Sequence, residues 1–184
     1  MTPLTASRSV LDTASAPGDG VRTRTITWTD PARARFRLRG EDGLTQLRAI
    51  MRGDAAPPPA AALLGMEITE AERGRVLFSL VADEIHENPM GTMHGGIIAT
   101  LVDSAMGCAV ASMLDAGVGY TTLELKINYV RPIVRTTGRL HAEGRVVHFG
   151  GRVATTDARV VDDAGTLYAH ATSTCLVIRP GARR

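Results

Sequence analysis

Apolar residues change period along this chain, and the changes mark out its elements. Ile97, Ile98, Leu101, Val102, Ala105, Met106, Ala109, Val110 and Met113 recur at helical spacing and cover most of a helix circumference. They predict a helix of about 19 residues, buried nearly all round and running up to Asp115. Ala116-Gly117-Val118-Gly119 then supplies a glycine stop. Ahead of the helix, residues 63–71 and 73–82 read as strands divided by a Glu-Arg-Gly turn. Behind it, residues 120–131, 136–147, 152–161 and 166–178 read as four more. Gly150-Gly151 and Asp162-Asp163-Ala164-Gly165 form turns between the later ones.

The order is therefore strand, strand, long helix, then four strands in succession. Such runs argue an α+β layer rather than alternating βαβ units. One buried helix held by a curved antiparallel sheet is the hot-dog arrangement. In front of it lies a leader. Residues 1–20 are rich in Ser, Thr, Ala, Pro and Gly and read as a flexible tail. Residues 23–28 alternate Thr or Arg with Ile or Trp, the pattern of a short strand, and residues 41–51 carry Leu44, Leu47, Ile50 and Met51 at helical spacing. Pro57-Pro58-Pro59 should break helix and stiffen a linker. The expected division is an N-terminal extension over 1–56 and a hot-dog domain over 57–184.

Composition narrows the function. A chain of 184 residues can bury a real core. Its net charge of +2 is too small for a nucleic-acid surface, and with aromatics at 4% base-stacking platforms are not expected. Arg33, Arg35, Arg37 and Arg39 alternate along one stretch, which reads more simply as a solvated face than as an anion site. Cys108 and Cys175 sit in apolar patterns and read as small core residues, in keeping with a reducing compartment. The start has no apolar h-region and no run is long enough to span a bilayer, so a cytoplasmic protein with no membrane partner is the expectation.

The chemistry gathers in His86-Glu87-Asn88-Pro89-Met90-Gly91-Thr92-Met93-His94-Gly95-Gly96, which opens the long helix. Gly95 and Gly96 carry no side chains, so a ligand oxygen can approach the first free backbone N–H groups at the positive end of the helix dipole. A plain helix start with tight packing is the simpler alternative. Asp103 is an acid among Leu101, Val102, Ala105 and Met106, and a buried carboxylate is costly unless paired or used. Ser104 or Thr100 could satisfy it structurally. Asn88 could be only a turn residue before Pro89. His94 could be only a helix N-terminal residue, and His86 structural or solvent-facing. No acid or thiol lies near the two histidines at metal spacing, so no metal site is expected. Gly95 and Asp103 are eight residues apart, roughly 12 Å along a helix axis. They can act together only if another copy supplies the acid, which implies a dimer with two shared sites.

The run His86-x-Asn88-x-x-Gly91-x-x-His94-Gly95-Gly96, then Leu101-x-Asp103-x-Ala105-x-Gly107, resembles the hot-dog acyl-CoA thioesterases of the phenylacetic-acid-degradation (PaaI) type. Residues 121–132 resemble that family's strand after the helix, and the likeness extends over about 60–179. The resemblance implies that Asp103 is the nucleophile or the general base. Gly95 N–H would polarise the thioester carbonyl, with His94 supporting that loop. Asn88 would orient water or carbonyl, and Thr122, from the subunit that gives Asp103, would position the acid or the water. Coenzyme A carries phosphates; beside Gly96, the candidates to hold the substrate are Arg131 and Arg152, each of which could equally be a surface arginine.

The leading expectation is hydrolysis of an aromatic or medium-chain acyl-CoA to free acid and coenzyme A, without cofactor or metal. The enzyme would be a homodimer, a homotetramer built as a dimer of dimers remaining open. A non-catalytic acyl-CoA-binding protein on the same fold is the alternative, and Asp103 separates the two, because a binder needs no acid there. A hot-dog hydratase fits less well, since His94 and Asp103 are not close on one chain.

Overall fold

A computed structural model describes residues 20–33 and 40–181. Most of the expected tail and three of the four alternating arginines, Arg35, Arg37 and Arg39, fall outside those residues. In chain order the elements are α1 (Gly43–Met51), α2 (Pro59–Leu64), β1 (Met66–Glu72), β2 (Arg75–Val81), α3 (Gly95–Ala111), β3 (Gly119–Tyr129), β4 (Arg139–Phe149), β5 (Val153–Asp162) and β6 (Leu167–Ile178). Short 3-10 turns occupy Glu84–His86 and Arg135–Thr137.

The strands form one antiparallel sheet in the order β1-β2-β4-β5-β6-β3. It curls round α3, which touches all six strands, giving the expected hot-dog arrangement. Leu101, Val102, Ala105, Met106 and Ala109 of α3 meet Val76, Phe78 and Leu80 of β2, Leu140 and Ala142 of β4, and Val160 of β5 in one buried core. The helix lies very close to β4. A Cβ built on Gly144 would sit 2.4 Å from the Ala105 backbone. Only glycine admits that approach.

Three expectations need correction. Residues 23–28 form no strand, and the lone bridge residue nearby, Arg22, lies just ahead of them. Alternation makes a strand only where a sheet edge offers ladder partners, and Arg22 is instead ion-paired to Glu84. The proline run does not exclude helix throughout, because α2 begins at Pro59 itself. The first helical position has no hydrogen bond for proline to lose. Finally, α3 is not buried all round. Gly96 is exposed, and Thr100, Asp103, Ser104 and Cys108 are only partly covered. The sheet closes over one side of the helix and stops at the edge strand β3. The Thr100 and Ser104 hydroxyls bond back to the carbonyls of Gly96 and Thr100 at 2.9 and 2.8 Å, which settles their polarity without a partner element.

The leader helix is held to this body. Asp42 caps α1 by accepting from Thr45 N–H at 2.9 Å, Leu47 enters the main core, and Gly43 N–H donates to the Leu114 carbonyl at 3.0 Å.

Candidate active site

The segment before α3 folds into a compact loop that aims the helix. Asn88 closes it. Its N–H donates to Thr92 O at 2.8 Å, its amide nitrogen donates to Thr92 Oγ1 at 2.9 Å, and its amide oxygen accepts from Met90 N–H at 2.8 Å. Gly91 sits at φ +75, a turn conformation that side chains resist. His94 N–H donates to His86 O at 2.7 Å, and Met93 N–H to Ile133 O at 2.8 Å. Asn88 is thus tied into its own loop by both ends of its amide.

His86 is buried, 2% exposed, so of its two expected roles the structural one holds. Its Nε2 lies 3.1 Å from Leu64 O, while Nδ1 is buried and without a partner among the described residues. Desolvation lowers the pKa of the ring from its ordinary value, with the Leu64 carbonyl and Asp83 pulling the other way.

His94 is exposed and N-caps α3, its Nδ1 accepting from Gly96 N–H at 2.9 Å. In this contact Nδ1 is the acceptor, which leaves Nε2 as the ring's donor. Gly95 N–H has no acceptor among the described residues. On the other side, Tyr129 Oη donates to Gly95 O at 2.8 Å.

Asp103 lies on the open face of α3, two turns on, and accepts from Thr122 Oγ1 of the same chain at 2.8 Å. Around the pair lie Tyr120, Cys108 and Cys175. Tyr120 packs so closely on Gly107 that a Cβ there would come within 2.7 Å of its hydroxyl. Desolvation, with the Asp103 charge second, pushes the Cys108 thiol up to about 12. Burial likewise raises Tyr120 and Cys175. Cys108, Tyr120 and Cys175 are thus all held toward their neutral forms beside Asp103.

One chain does not join all the expected residues. Gly95 and Asp103 remain roughly 12 Å apart along α3. Arg131 donates to Leu167 O at 2.7 Å at one end of β6. Arg152 accepts through its carbonyl from Val177 N–H at the other end. Nine residues separate Leu167 from Leu176, the partner of Val153, roughly 30 Å of strand. The two arginines therefore lie at opposite ends of β6. Ile98, Val102 and Met106, read from sequence as acyl-pocket lining, are core residues 4% exposed or less. A cavity of about 490 Å³ lined by Glu72, Arg73, Met113, Arg145 and Phe149 lies at the far end of α3 from Gly95.

Tyr129 and Tyr120 were missed as site residues. Tyr129 stands in the motif run after the helix, and strand alternation from Thr122, reset by the bulge between Thr122 and Glu124, puts both on one face.

An α+β hot-dog with a glycine-opened helix and a Thr-held carboxylate defines a class, and comparison places the chain in it. The chain belongs to the thioesterase superfamily, whose model matches residues 90–169. A candidate esterase of Halobacterium salinarum is 35% identical over 114 residues, covering 59% of this chain and 74% of the relative. The 1,4-dihydroxy-2-naphthoyl-CoA hydrolase of Listeria monocytogenes is 24% identical over 105 residues, 56% of this chain and 83% of the relative. Among solved structures, a candidate thioesterase related to phenylacetic acid degradation from Ralstonia eutropha aligns with TM-score 0.65 and 29% identity, over 71% of this chain and 98% of its own. The likeness to the PaaI type thus extends from motif to fold. Among the described residues no helix is long and apolar enough to cross a membrane.

Proposed function

We propose that this chain hydrolyses the thioester of an aromatic or medium-chain acyl-CoA to the free acid and coenzyme A. It would do so as a homodimer in which each site takes Gly95 from one copy and the Asp103–Thr122 pair from the other. The observation that carries the reading is the hydrogen bond of Thr122 to Asp103 on the uncovered face of α3, on the same helix as an unclaimed Gly95 N–H. A carboxylate with one oxygen anchored and the other free suits proton transfer from water. The relative from Listeria, named for hydrolysis of an aromatic acyl-CoA, supports the substrate class.

In this reading the carbonyl oxygen lies against Gly95 N–H, where the helix dipole favours developing negative charge. Asp103 takes a proton from water as the water oxygen bonds to the carbonyl carbon. The tetrahedral oxyanion then collapses, the C–S bond breaks, and the proton on Asp103 passes to the departing thiolate. Thr122 keeps the carboxylate in place throughout. His94 fixes the first turn, and Asn88 holds the loop that bears it. Arg131 and Arg152 would reach the phosphates from different copies.

The test is free-thiol release across a panel of aromatic and aliphatic acyl-CoAs. Wild-type protein should turn over at least one class, and Asp103→Asn should lower kcat a hundredfold or more with the fold retained. Near-normal turnover in that variant would overturn the role of Asp103. A wild-type chain that binds every acyl-CoA and cleaves none would instead be a non-catalytic binding protein.

A further inference from the structure

Two adjacent glycines are the loosest way to start a helix, since each lacks the Cβ that restricts the backbone. An oxyanion donor needs the opposite property, because its N–H must already point where charge will develop. Two side chains from elsewhere hold this pair. The peptide unit linking Gly95 to Gly96 is gripped at both ends: Tyr129 Oη donates to its oxygen at 2.8 Å, and its N–H donates to His94 Nδ1 at 2.9 Å. The preceding unit is held as well, His94 O accepting from Ile97 N–H at 2.9 Å. Both peptide planes that meet at the Gly95 Cα are therefore fixed. The tyrosine ring also fills the volume a side chain would need, since a Cβ on Gly95 would sit 3.0 Å from Tyr129 Oη and 3.1 Å from its Cζ.

We infer that Tyr129 is a positioning residue for the reaction: reaching from the end of β3, it clamps the Gly95–Gly96 peptide, the plane next to the one that carries the Gly95 N–H, and so steadies the first turn in which that N–H stands. Its ring crowds the place a side chain at 95 would take, and the clamp restores the rigidity that glycine removes. The role rests on the proposed use of that N–H as the carbonyl donor, though the clamp itself is a property of the free protein.

Tyr129→Phe keeps the ring and deletes the donor, and two readouts follow. In the free protein, amide hydrogen exchange at Gly96, whose N–H is bonded to His94 Nδ1, should speed at least fivefold, with Leu101–Ala109 unchanged. On the best substrate of the panel, kcat should fall about tenfold with KM within twofold, the split expected for an interaction used in the transition state. Gly95→Ala adds a check. Its penalty should be smaller in the Tyr129→Phe background, where the closest atom is gone, so the two changes will not add. The inference fails if exchange at Gly96 is unchanged, if kcat stays within twofold of wild type, or if the loss matches a loss of folded protein. Asp103→Asn run alongside separates the cases. Full activity there overturns the proposed mechanism alone, and full activity in Tyr129→Phe overturns the clamp alone.

Discussion

His86 packs an imidazole where only one of its two nitrogens has a partner. The neutral ring satisfies this with Nε2 facing Leu64 O and a bare Nδ1. A second proton would have to sit on Nδ1, buried and without an acceptor, which is why burial lowers the pKa. The sign for stability follows. Below its ordinary value of ~6.5 the unfolded ring takes up a proton that the folded ring resists, so the unfolded state binds more protons. Stability contributed by the neutral ring is full above that value and is lost as pH falls through it. Melting temperature should therefore drop between pH 7.5 and 5.5 by more in wild type than in His86→Gln, a difference of a few degrees. Equal slopes would mean that His86 protonates freely. The same scale explains the thiols: held neutral by burial, Cys108 and Cys175 are core residues beside the acid rather than nucleophiles.

Among elements, the decisive contact is α3 against β4. Small residues line the strand beneath the helix, with Ala142 and Gly144 opposite Ala105 and Met106. Because the Gly144 neighbour is backbone, no rotamer change can make room for a methyl group. Gly144→Ala should cost about 1–3 kcal/mol or more as overpacking, read as a lower urea midpoint. An unchanged midpoint would show that helix and sheet can separate to make room for the methyl group. Such separation would also shift Asp103 relative to Thr122, so activity should fall along with stability.

For the whole molecule, β3 is one edge of the sheet, with Leu123 56% and Tyr129 50% exposed. It adjoins the uncovered face of α3 that carries Asp103. Among the described residues this edge has no partner strand, and an edge beside an open helix face suits a twofold copy, the arrangement that the proposed sharing of Gly95 and Asp103 calls for. Mixed dimers test the sharing. Co-expressed Asp103→Asn and Gly95→Pro chains, each inactive alone, should give heterodimers with about one working site in two. Proline is tolerated at a first helical position, so the second chain should fold; its circular dichroism checks that. Folded heterodimers without activity would place both groups of a site on one copy.

The sequence alone determined the elements and their order. The long apolar period specified α3, and alternation specified all six strands to within a few residues, because each pattern answers to one dominant burial face. It also carried the motif residues from Asn88 to Asp103, whose spacing along one loop and helix is local. Residues 23–28 show the limit of that reading, since alternation cannot say whether a sheet edge is free to pair. Tertiary structure decided which sequence-distant groups meet: Thr122 with Asp103, Tyr129 with Gly95, His86 with Leu64, and Gly144 with Ala105. It also decided that α3 keeps one face open. Those contacts depend on where a curved sheet stops around a helix, which no local period encodes.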